Sequence, residues 1–379
     1  MRVVNAQVRV ELKKEIDVDE LAKDWIALED YCSANSFVSW HWIGSWLTTF
    51  KDKLPIYLLS ISRDEKLIGL ALFASERIYR RKVITSRMLT LNGACNYNFN
   101  MTIEHNAILL KPGGEVEAYA AIGNYFEHNF KYFDEWQFPL IDHSNYLESW
   151  NEKGGYRVVR QETMQSPFVN LNQFNSTNTQ FIDSLSRNAR SQIRSTIRKF
   201  SELGELKVIE PSSLDEAMNY FSALGELHQV RWTSKGLSGS FSNPLWVQFH
   251  KQIIKSGYEK DKIQILKVVA GETVIGYVYS LVKDGCVSMI QTGFDYTLRS
   301  NAKPGYLCHY LVIIFNLKKK MKKYDFLGGA DQYKLTLATD VDELQTYVVQ
   351  RNKFKFLFES KLLVVFRSLR RLLRMFVDK

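Results

Sequence analysis

The sequence predicts a mixed α/β protein in which two similar domains follow one another. Its 379 residues suit two domains better than one, because single hydrophobic cores stop growing at about 250–300 residues. Strand-like alternation and helical periodicity both recur along the chain, which favours sheets flanked by helices. A hairpin pattern near residue 60 returns near residue 270, which indicates duplication.

The repeated pattern is a strand, a short polar turn and a second strand. In the first half the strands are residues 56–61 and 67–72, and in the second half they are residues 263–269 and 274–279. Alternating apolar residues on both sides of a turn predict a β-hairpin in each half. A chance similarity of two hairpins is the alternative to duplication.

The composition describes a folded chain and argues against export. Hydrophobic residues make up 45% and aromatic residues 13% of the sequence, which excludes intrinsic disorder and low-complexity scaffolds. The first ten residues alternate like a strand and lack the apolar core of a signal peptide. The longest apolar stretch, residues 306–317, is too short to span a bilayer. The four scattered cysteines suit a reducing cytoplasm and indicate no metal site.

The charge is divided unevenly between the two halves. The whole chain carries +9, but residues 1–165 hold 19 basic against 22 acidic residues and residues 166–379 hold 31 against 19. The second half, at +12, is therefore expected to bind anions. A polar, turn-rich stretch predicts a boundary near residues 165–180. The predicted domains are residues 1–170 and 171–350, followed by a basic C-terminal helix over residues 351–379.

The strongest local signal is a strand that runs into a glycine-containing loop and then a helix. The strand is residues 286–292, the loop is residues 299–305, and an apolar helix begins at Tyr306. Unpaired backbone N–H groups at a helix N-terminus favour a bound phosphate, and Arg299 and Lys303 add positive charge. A plain connection with Pro304 in the first turn of the helix is the equal alternative.

A basic helix precedes this region in the sequence. Arg187, Arg190, Arg194 and Arg198 recur at spacings of three and four residues, which places them on one helical stripe. An anionic partner would offset their mutual repulsion, so we expect a site for a phosphate, a carboxylate or, in an alternative interpretation, tRNA. A solvated charged face is the simpler interpretation.

Three further groups are candidates for chemistry. His228 is the favoured general base, because a neutral imidazole accepts a proton near pH 7, although a structural histidine is nearly as good an interpretation. Arg231 and Trp232 follow it, and this pair is predicted to clamp a carboxylate or phosphate and to stack on a ring.

Another set of candidates follows strands that are expected to end at the same edge of the sheet. Asp295 follows the strand before the glycine loop, while Tyr333 and Lys334 follow the next strand. We expect Asp295 to assist catalysis, Tyr333 to protonate a leaving thiolate and Lys334 to bind substrate. A capping role for Asp295 and a half-buried, structural Tyr333 are the alternatives.

At these residues the chain resembles the CelD/BcsL-type acetyltransferases of cellulose and polysaccharide biosynthesis, a tandem branch of the GNAT superfamily. The motifs are residues 186–194, 227–232, 293–295 with 304–305, and 324–329 with 333–334. The first half carries weaker marks at residues 37–40, Trp46 and Gly69. The family is similar to the FemABX peptidyltransferases, which have paired GNAT folds and use aminoacyl-tRNA.

The resemblance implies two tandem GNAT-like domains with mixed central sheets, the first a degenerate copy that forms the acceptor cleft. It also implies that the glycine loop holds the pyrophosphate of acetyl-CoA or another acyl-CoA, and that the preceding strand accepts the pantetheine chain. No metal is expected. The loop residues are Arg299, Ser300, Asn301, Ala302, Lys303, Pro304 and Gly305.

The predicted activity is direct transfer of an acyl group, acetyl by preference, from acyl-CoA to an amine or hydroxyl of a sugar, sugar-nucleotide or glycan precursor of the cell envelope. The alternatives are a FemABX-like aminoacyl transfer from tRNA to a cell-wall precursor and a non-catalytic GNAT-like scaffold at the membrane. Nucleic acid other than tRNA is not expected. The predicted location is the cytoplasm, with the C-terminal helix touching the inner membrane surface or packing on the protein.

Overall fold

Strands and helices alternate along the chain, as the mixed α/β prediction requires. The computed structural model describes residues 8–32, 34–80, 84–96, 101, 103–129, 131–142, 145–148, 150, 155–175, 180–299, 302–329 and 331–359. The strands are β1 Val8–Lys13, β2 Ile56–Arg63, β3 Lys66–Arg80, β4 Ile84–Leu91, β5 Leu109–Leu110, β6 Glu135–Ile141, β7 Tyr156–Asn170, β8 Leu206–Ile209, β9 Ile263–Ala270, β10 Thr273–Lys283, β11 Cys286–Phe294, β12 Lys323–Asp325 and β13 Asp340–Arg351.

The helices pack against the strands in both units. They are α1 Val18–Glu29, α2 Trp40–Phe50, α3 Glu115–Asn129, α4 Asn145–Glu148, α5 Asn172–Asn175, α6 Phe181–Ser184, α7 Arg187–Ser201, α8 Leu214–Thr233, α9 Pro244–Gly257, α10 Pro304–Lys318 and α11 Gln332–Leu337, with 3₁₀ turns at Ser240–Ser242 and Tyr258–Lys260. Helix α7 confirms the predicted basic helix, and α10 begins two residues before Tyr306.

The chain divides into two compact units. The first comprises residues 1–33, 50–163 and 345–379, and the second comprises residues 34–49 and 164–344. Each unit therefore takes a short segment from the other half of the sequence. The predicted division into residues 1–170 and 171–350 stays a prediction.

The first unit is built around a mixed sheet. Strands β1, β2, β3 and β4 pair antiparallel in that order, β4 pairs parallel with β6, and β6 pairs antiparallel with the end of β13. Large aromatic side chains fill its core, including Trp136 and Trp150, which are fully buried.

The second unit repeats this arrangement. Strands β8, β9, β10 and β11 pair antiparallel in order, β11 pairs parallel with β12, and β12 pairs antiparallel with the end of β7. The shared order of five pairings confirms the fold class and is the pattern that a duplicated unit predicts.

Both predicted hairpins are confirmed, and their turns show why they form. In β2–β3 the turn residues Asp64 and Glu65 have positive φ angles of 49° and 61°, the conformation of a two-residue turn that matches strand twist. In β9–β10 Gly271 takes a positive φ of 60°, which costs a glycine little. Each hairpin also shows a register shift shortly after its turn.

The predicted linker at residues 165–180 is partly wrong. Residues through Asn170 continue strand β7, whose Ser166 and Val169 are buried. The polar composition hides a strand because the backbone of Phe168, Val169 and Asn170 pairs with β12. The N–H of Asn170 also reaches the hydroxyl of Thr339, at 2.9 Å. Residues 176–179 lie outside the described residues.

The predicted C-terminal helix falls largely beyond the described chain. Residues 354–359 are helical, and residues 360–379 lie outside the described residues. None of the helices in the described part of the chain is long and apolar enough to cross a membrane.

Candidate active site

Two neighbouring strands of the second unit pair briefly and then separate. Strands β11 and β12 run parallel and pair only where Cys286–Ser288 meet Lys323–Asp325. Strand β12 ends there, while β11 continues to Phe294. Beyond Ser288 no described strand pairs with this edge of β11, so an extended ligand can pair there. The N–H of Thr292 donates to Oε1 of Gln291, and its carbonyl lies 3.4 Å from Nδ1 of His228.

Helix α10 begins beside this separation with a free N-terminus. Its N-cap residue Lys303 makes no side-chain cap hydrogen bond, and its described first turn contains no acidic residue. Pro304 occupies the first turn, where a missing N–H costs nothing. A Cβ atom at Gly305 would lie 3.2 Å from the ring of Phe294, so glycine keeps this helix end open.

A cavity of about 310 Å³ lies at this place, within the usual size range of small-molecule sites. Its lining mixes aromatic rings with a few polar groups. The residues are Arg231, Thr292, Phe294, Tyr296, Ala302, Lys303, Gly305, Tyr306, His309 and Tyr333. Among these described residues, the side chains with full charge are both cationic, which favours an anionic ligand.

The two cations lie over aromatic rings of the same cavity. The guanidinium of Arg231 is 4.4 Å from the ring centroid of Tyr296, and the ammonium of Lys303 is 5.2 Å from that of Tyr306. Such contacts orient a cation without neutralising its charge. Both groups stay available to carboxylate or phosphate oxygens.

Tyr333 and His309 form the aromatic wall of the cavity. Their rings stack with centroids 5.0 Å apart and an interplanar angle of 16°. Burial, followed by the nearby Asp331, raises the pKa of Tyr333. The phenol therefore keeps its proton at neutral pH and can donate a hydrogen bond.

The predicted loop is only partly placed at the cavity. Ala302, Lys303 and Gly305 line it, and Ser300 and Asn301 lie outside the described residues. Arg299 turns instead to the carboxylate of Glu202, with N and O atoms 3.3 Å apart. This salt bridge links Arg299 to the end of α7. Arg299 does not line the cavity.

His228 is held by two hydrogen bonds and is absent from the cavity lining. Its Nδ1 lies 3.4 Å from the carbonyl of Thr292, and its Nε2 accepts from the N–H of Ser240 at 3.3 Å. Burial lowers the pKa of His228. Because the lone pair already accepts a hydrogen bond, we do not assign it the role of general base.

Asp295 and Lys334 also have structural partners. One carboxylate oxygen of Asp295 accepts from the N–H and the hydroxyl of Thr297, at 2.8 and 2.6 Å. The ammonium of Lys334 is buried and donates to the carbonyls of Leu327 and Gly328, at 3.1 and 2.6 Å. Asp295 caps its loop and is not assigned a catalytic role, and Lys334 holds the turn after β12 and is not assigned to substrate.

The arginines of α7 divide into one structural residue and an exposed set. Arg190 donates to the carbonyls of Asp183 and Leu185, at 3.0 and 2.8 Å. Arg187 and Arg194 are exposed. Trp232 is 37% exposed and does not line the cavity, although its ring approaches that of His228.

His309 is the main residue of the site that the sequence prediction missed. A lone histidine on an apolar helix is usually a structural residue. A signal was present, because His309 lies one turn after a predicted phosphate loop, on the helix that this loop begins. The sequence prediction also missed three aromatic residues of the lining, because aromatic residues at such positions resemble core residues: Phe294, Tyr296 and Tyr306. It missed Thr292 because this residue lies within a predicted strand.

The first unit closes the corresponding helix end. The N–H of Gly113, just before α3, donates to the carboxylate of Glu115, at 3.0 and 3.2 Å to its two oxygens. Glu117, in the same turn, pairs with Arg63. A helix N-terminus that carries its own carboxylates repels a phosphate, whereas α10 has an open one.

The second unit thus has the sheet, the separated strands and the open helix end of a GNAT acetyltransferase domain, and the protein is an acyltransferase. Residues 187–335 match the family model described as acetyltransferase (GNAT) domain. No curated protein matches the sequence.

Solved structures with low sequence identity share the fold. FemX aligns with 9% identity and a TM-score of 0.57, covering 88% of this chain and 96% of its own. L-PGS from Bacillus licheniformis aligns with 13% identity and a TM-score of 0.52, covering 95% and 99%. A conserved protein of unknown function from Bacteroides thetaiotaomicron aligns with 9% identity and a TM-score of 0.51, covering 91% and 100%.

Proposed function

We propose that the second unit transfers an acyl group, acetyl by preference, from acyl-CoA to an amine or hydroxyl. The observation that carries the proposal is the cavity where β11 and β12 separate beside the uncapped N-terminus of α10. An extended ligand can pair with the free edge of β11, and its phosphates can meet N–H groups of α10.

The residues at the helix end fit this ligand. Gly305 leaves room for close approach, and Lys303 supplies a cation beside the uncapped N–H groups. Arg299 and its salt bridge with Glu202 fix the loop from the other side. Acyl-CoA bound here would supply an activated thioester, whose carbonyl the acceptor would attack and whose sulfur would leave as the thiolate of CoA.

Tyr333 is assigned the role of proton donor to that thiolate. Tyr333 lines the cavity and its phenol is protonated at neutral pH, and burial, by raising its pKa, makes it a weaker acid than a free tyrosine. The proton that the acceptor loses passes to solvent at the cavity mouth, since the described lining contains no carboxylate. No covalent bond to the enzyme is required.

Calorimetry with acetyl-CoA tests the proposal. The wild-type protein should bind acetyl-CoA, and Gly305→Glu should abolish binding because it places a carboxylate at the phosphate site. The matched control is Gly114→Glu, at the corresponding helix start of the first unit, which should leave binding unchanged. Absence of wild-type binding would refute the proposal.

The acceptor we propose is a sugar-type precursor of envelope polysaccharide, modified in the cytoplasm or at the inner membrane surface. Two features support an anionic acceptor of this kind: the resemblance to polysaccharide acetyltransferases and the cation Arg231 at the cavity. Transfer assays with amino sugars, with and without a phosphate, test this choice. Equal rates for both would contradict the role of the cation.

A second candidate function is aminoacyl transfer from tRNA to a cell-wall precursor. The fold shared with FemX and the exposed Arg187 and Arg194 on α7 favour it. Salt-dependent binding of aminoacyl-tRNA together with no binding of acetyl-CoA would select this alternative.

A further inference from the structure

The imidazole of His309 is completely buried in the wall of the cavity. It lies among rings on several sides, because Phe294, Phe326 and Tyr333 all have ring centroids within 5.0–5.5 Å of it. A polar ring in such a place needs hydrogen-bond partners for both nitrogens. The position of its proton therefore decides what the ring can do.

One nitrogen of His309 has a partner that fixes the tautomer. Nδ1 lies 3.1 Å from the hydroxyl of Tyr324, and both residues are fully buried. Donation by the phenol O–H to Nδ1 leaves one buried polar group unpaired, whereas donation by Nδ1–H would leave two, the phenol O–H and Nε2. Nδ1 therefore accepts, and the single proton of the neutral imidazole is on Nε2.

The Nε2–H group lacks a partner. Within the described part of the chain no acceptor lies within hydrogen-bond distance of it, and solvent does not reach it. A buried donor without an acceptor is unfavourable, so the folded protein retains this group at a cost. A ligand oxygen would remove that cost when binding shifts the enclosing rings enough to admit it to Nε2, which is covered in the ligand-free protein.

The ring stays neutral over the working pH range. Burial, reinforced by the cation of Lys334, lowers the pKa of His309 to about 3. A neutral imidazole with its proton on Nε2 donates one hydrogen bond there and accepts none. This chemistry suits a carbonyl oxygen.

We infer that Nε2–H of His309 donates a hydrogen bond to the carbonyl oxygen of the acyl group that is transferred. The inference rests on the proposed acyl transfer. Negative charge grows on this oxygen as the acceptor attacks, so the hydrogen bond strengthens towards the transition state. His309 gives up no proton, and Tyr333, stacked on it, remains the donor to sulfur.

The chain contains a matched control. His250 is also buried in the second unit, and its Nδ1 lies 3.2 Å from the hydroxyl of Tyr279. Burial lowers its pKa to about 3 as well. It does not line the cavity. If removing any buried histidine weakens binding, both variants should show it. If the effect comes from a lost contact with the ligand, only the variant at His309 should show it.

Calorimetry with acetyl-CoA and with CoA separates the outcomes. His309→Phe should weaken acetyl-CoA binding about tenfold and leave CoA binding unchanged, while His250→Phe should change neither. Equal weakening of both ligands by His309→Phe would overturn the inference and leave the acyltransferase proposal standing. No binding of either ligand to the wild-type protein would overturn both.

Kinetics and spectroscopy provide a second, independent test. His309→Phe should lower kcat about 100-fold with a small change in KM. His309→Gln, whose amide nitrogen replaces Nε2–H, should recover part of kcat. Nitrogen-15 spectra should show the proton on Nε2 in the wild-type protein, and Tyr324→Phe should remove this preference and lower kcat. A proton on Nδ1 in the wild-type spectra would overturn the inference.

Discussion

In the proposed reaction, Tyr333 protonates the leaving sulfur. Its ring contacts His309 and Phe326 and lines the cavity. We predict that Tyr333→Phe lowers kcat about 100-fold, the lower end for general acid catalysis, because a thiolate needs only modest help. KM for acetyl-CoA should stay within about twofold, since the ring is kept.

The control for this variant is Tyr310→Phe. Tyr310 is on the same helix α10 as His309, but it stacks on Phe181 and does not line the cavity. Steady-state kinetics of both variants check the assignment. Wild-type kcat in Tyr333→Phe would show that the phenol is not the proton donor.

Buried histidines make the stability of the second unit depend on pH. Burial lowers the pKa of His41 to about 4 and the pKa values of His250 and His309 to about 3, against about 6.5 in an unfolded chain. Between these values the unfolded chain binds more protons than the folded one. The free energy of unfolding therefore has its full value above pH 6.5 and decreases as the pH falls towards the lowered pKa values of about 4 and 3.

We predict that the free energy of unfolding falls between pH 6.5 and 4, by up to about 1.4 kcal/mol per pH unit for each such histidine. Urea unfolding at several pH values measures this slope. His250→Gln should reduce it. An unchanged slope in that variant would show that the ring titrates normally in the folded state.

Sequence reasoning found site residues whose role depends on the local chain. Lys303 and Gly305 are placed by a strand, loop and helix that follow each other directly, and Arg231 and Tyr333 also line the cavity. The roles of these residues stay predictions. The sequence favours His228 as the general base, because its hydrogen bonds with Thr292 and Ser240 cannot be inferred from residue spacing. His309 was missed because its partner Tyr324 comes from another strand.

At the level of elements, the two helix starts explain why one copy is expected to bind CoA. Helix α3 neutralises its N-terminus with Glu115, while α10 leaves it open. Glycine content alone does not distinguish the two helix starts, because residues 111–114, just before α3, also contain two glycines. The deciding contact is the hydrogen bond from the N–H of Gly113 to the carboxylate of Glu115.

Helix α7 provides a test of structural against ligand-binding arginines. Arg190 donates to two carbonyls at the end of α6, so Arg190→Ala should lower the free energy of unfolding by about 1 kcal/mol. Arg194→Ala, on the exposed face, should change it by less than about 0.5 kcal/mol. Thermal unfolding of both variants measures the difference, and equal losses would contradict the division.

At the scale of the whole molecule, each sheet is completed by a strand from the other half of the sequence. Strand β12 pairs with the end of β7, and β6 pairs with the end of β13. Helix α2 also belongs to the second unit, where Trp42 packs on Phe249 with ring centroids 4.9 Å apart. Local patterns predicted the hairpins but not these exchanges, because pairing between distant segments leaves no periodic signal.

We therefore predict that a fragment of residues 171–350 does not fold by itself. It lacks the part of β7 that pairs with β12 and the part of α2 that packs on α9, and unpaired strand edges and exposed aromatic residues are unfavourable. Circular dichroism and proton spectra of the fragment measure its order. A cooperative unfolding transition at the temperature of the full chain would contradict this prediction.

The central claim is that acyl-CoA binds where β11 and β12 separate, and hydrogen exchange with and without acetyl-CoA tests it most directly. The account predicts slower exchange for backbone amides in residues 289–294 and 303–309 of the second unit, and unchanged exchange at residues 111–118 of the first. Protection at residues 111–118 instead, or no protection anywhere, would contradict it.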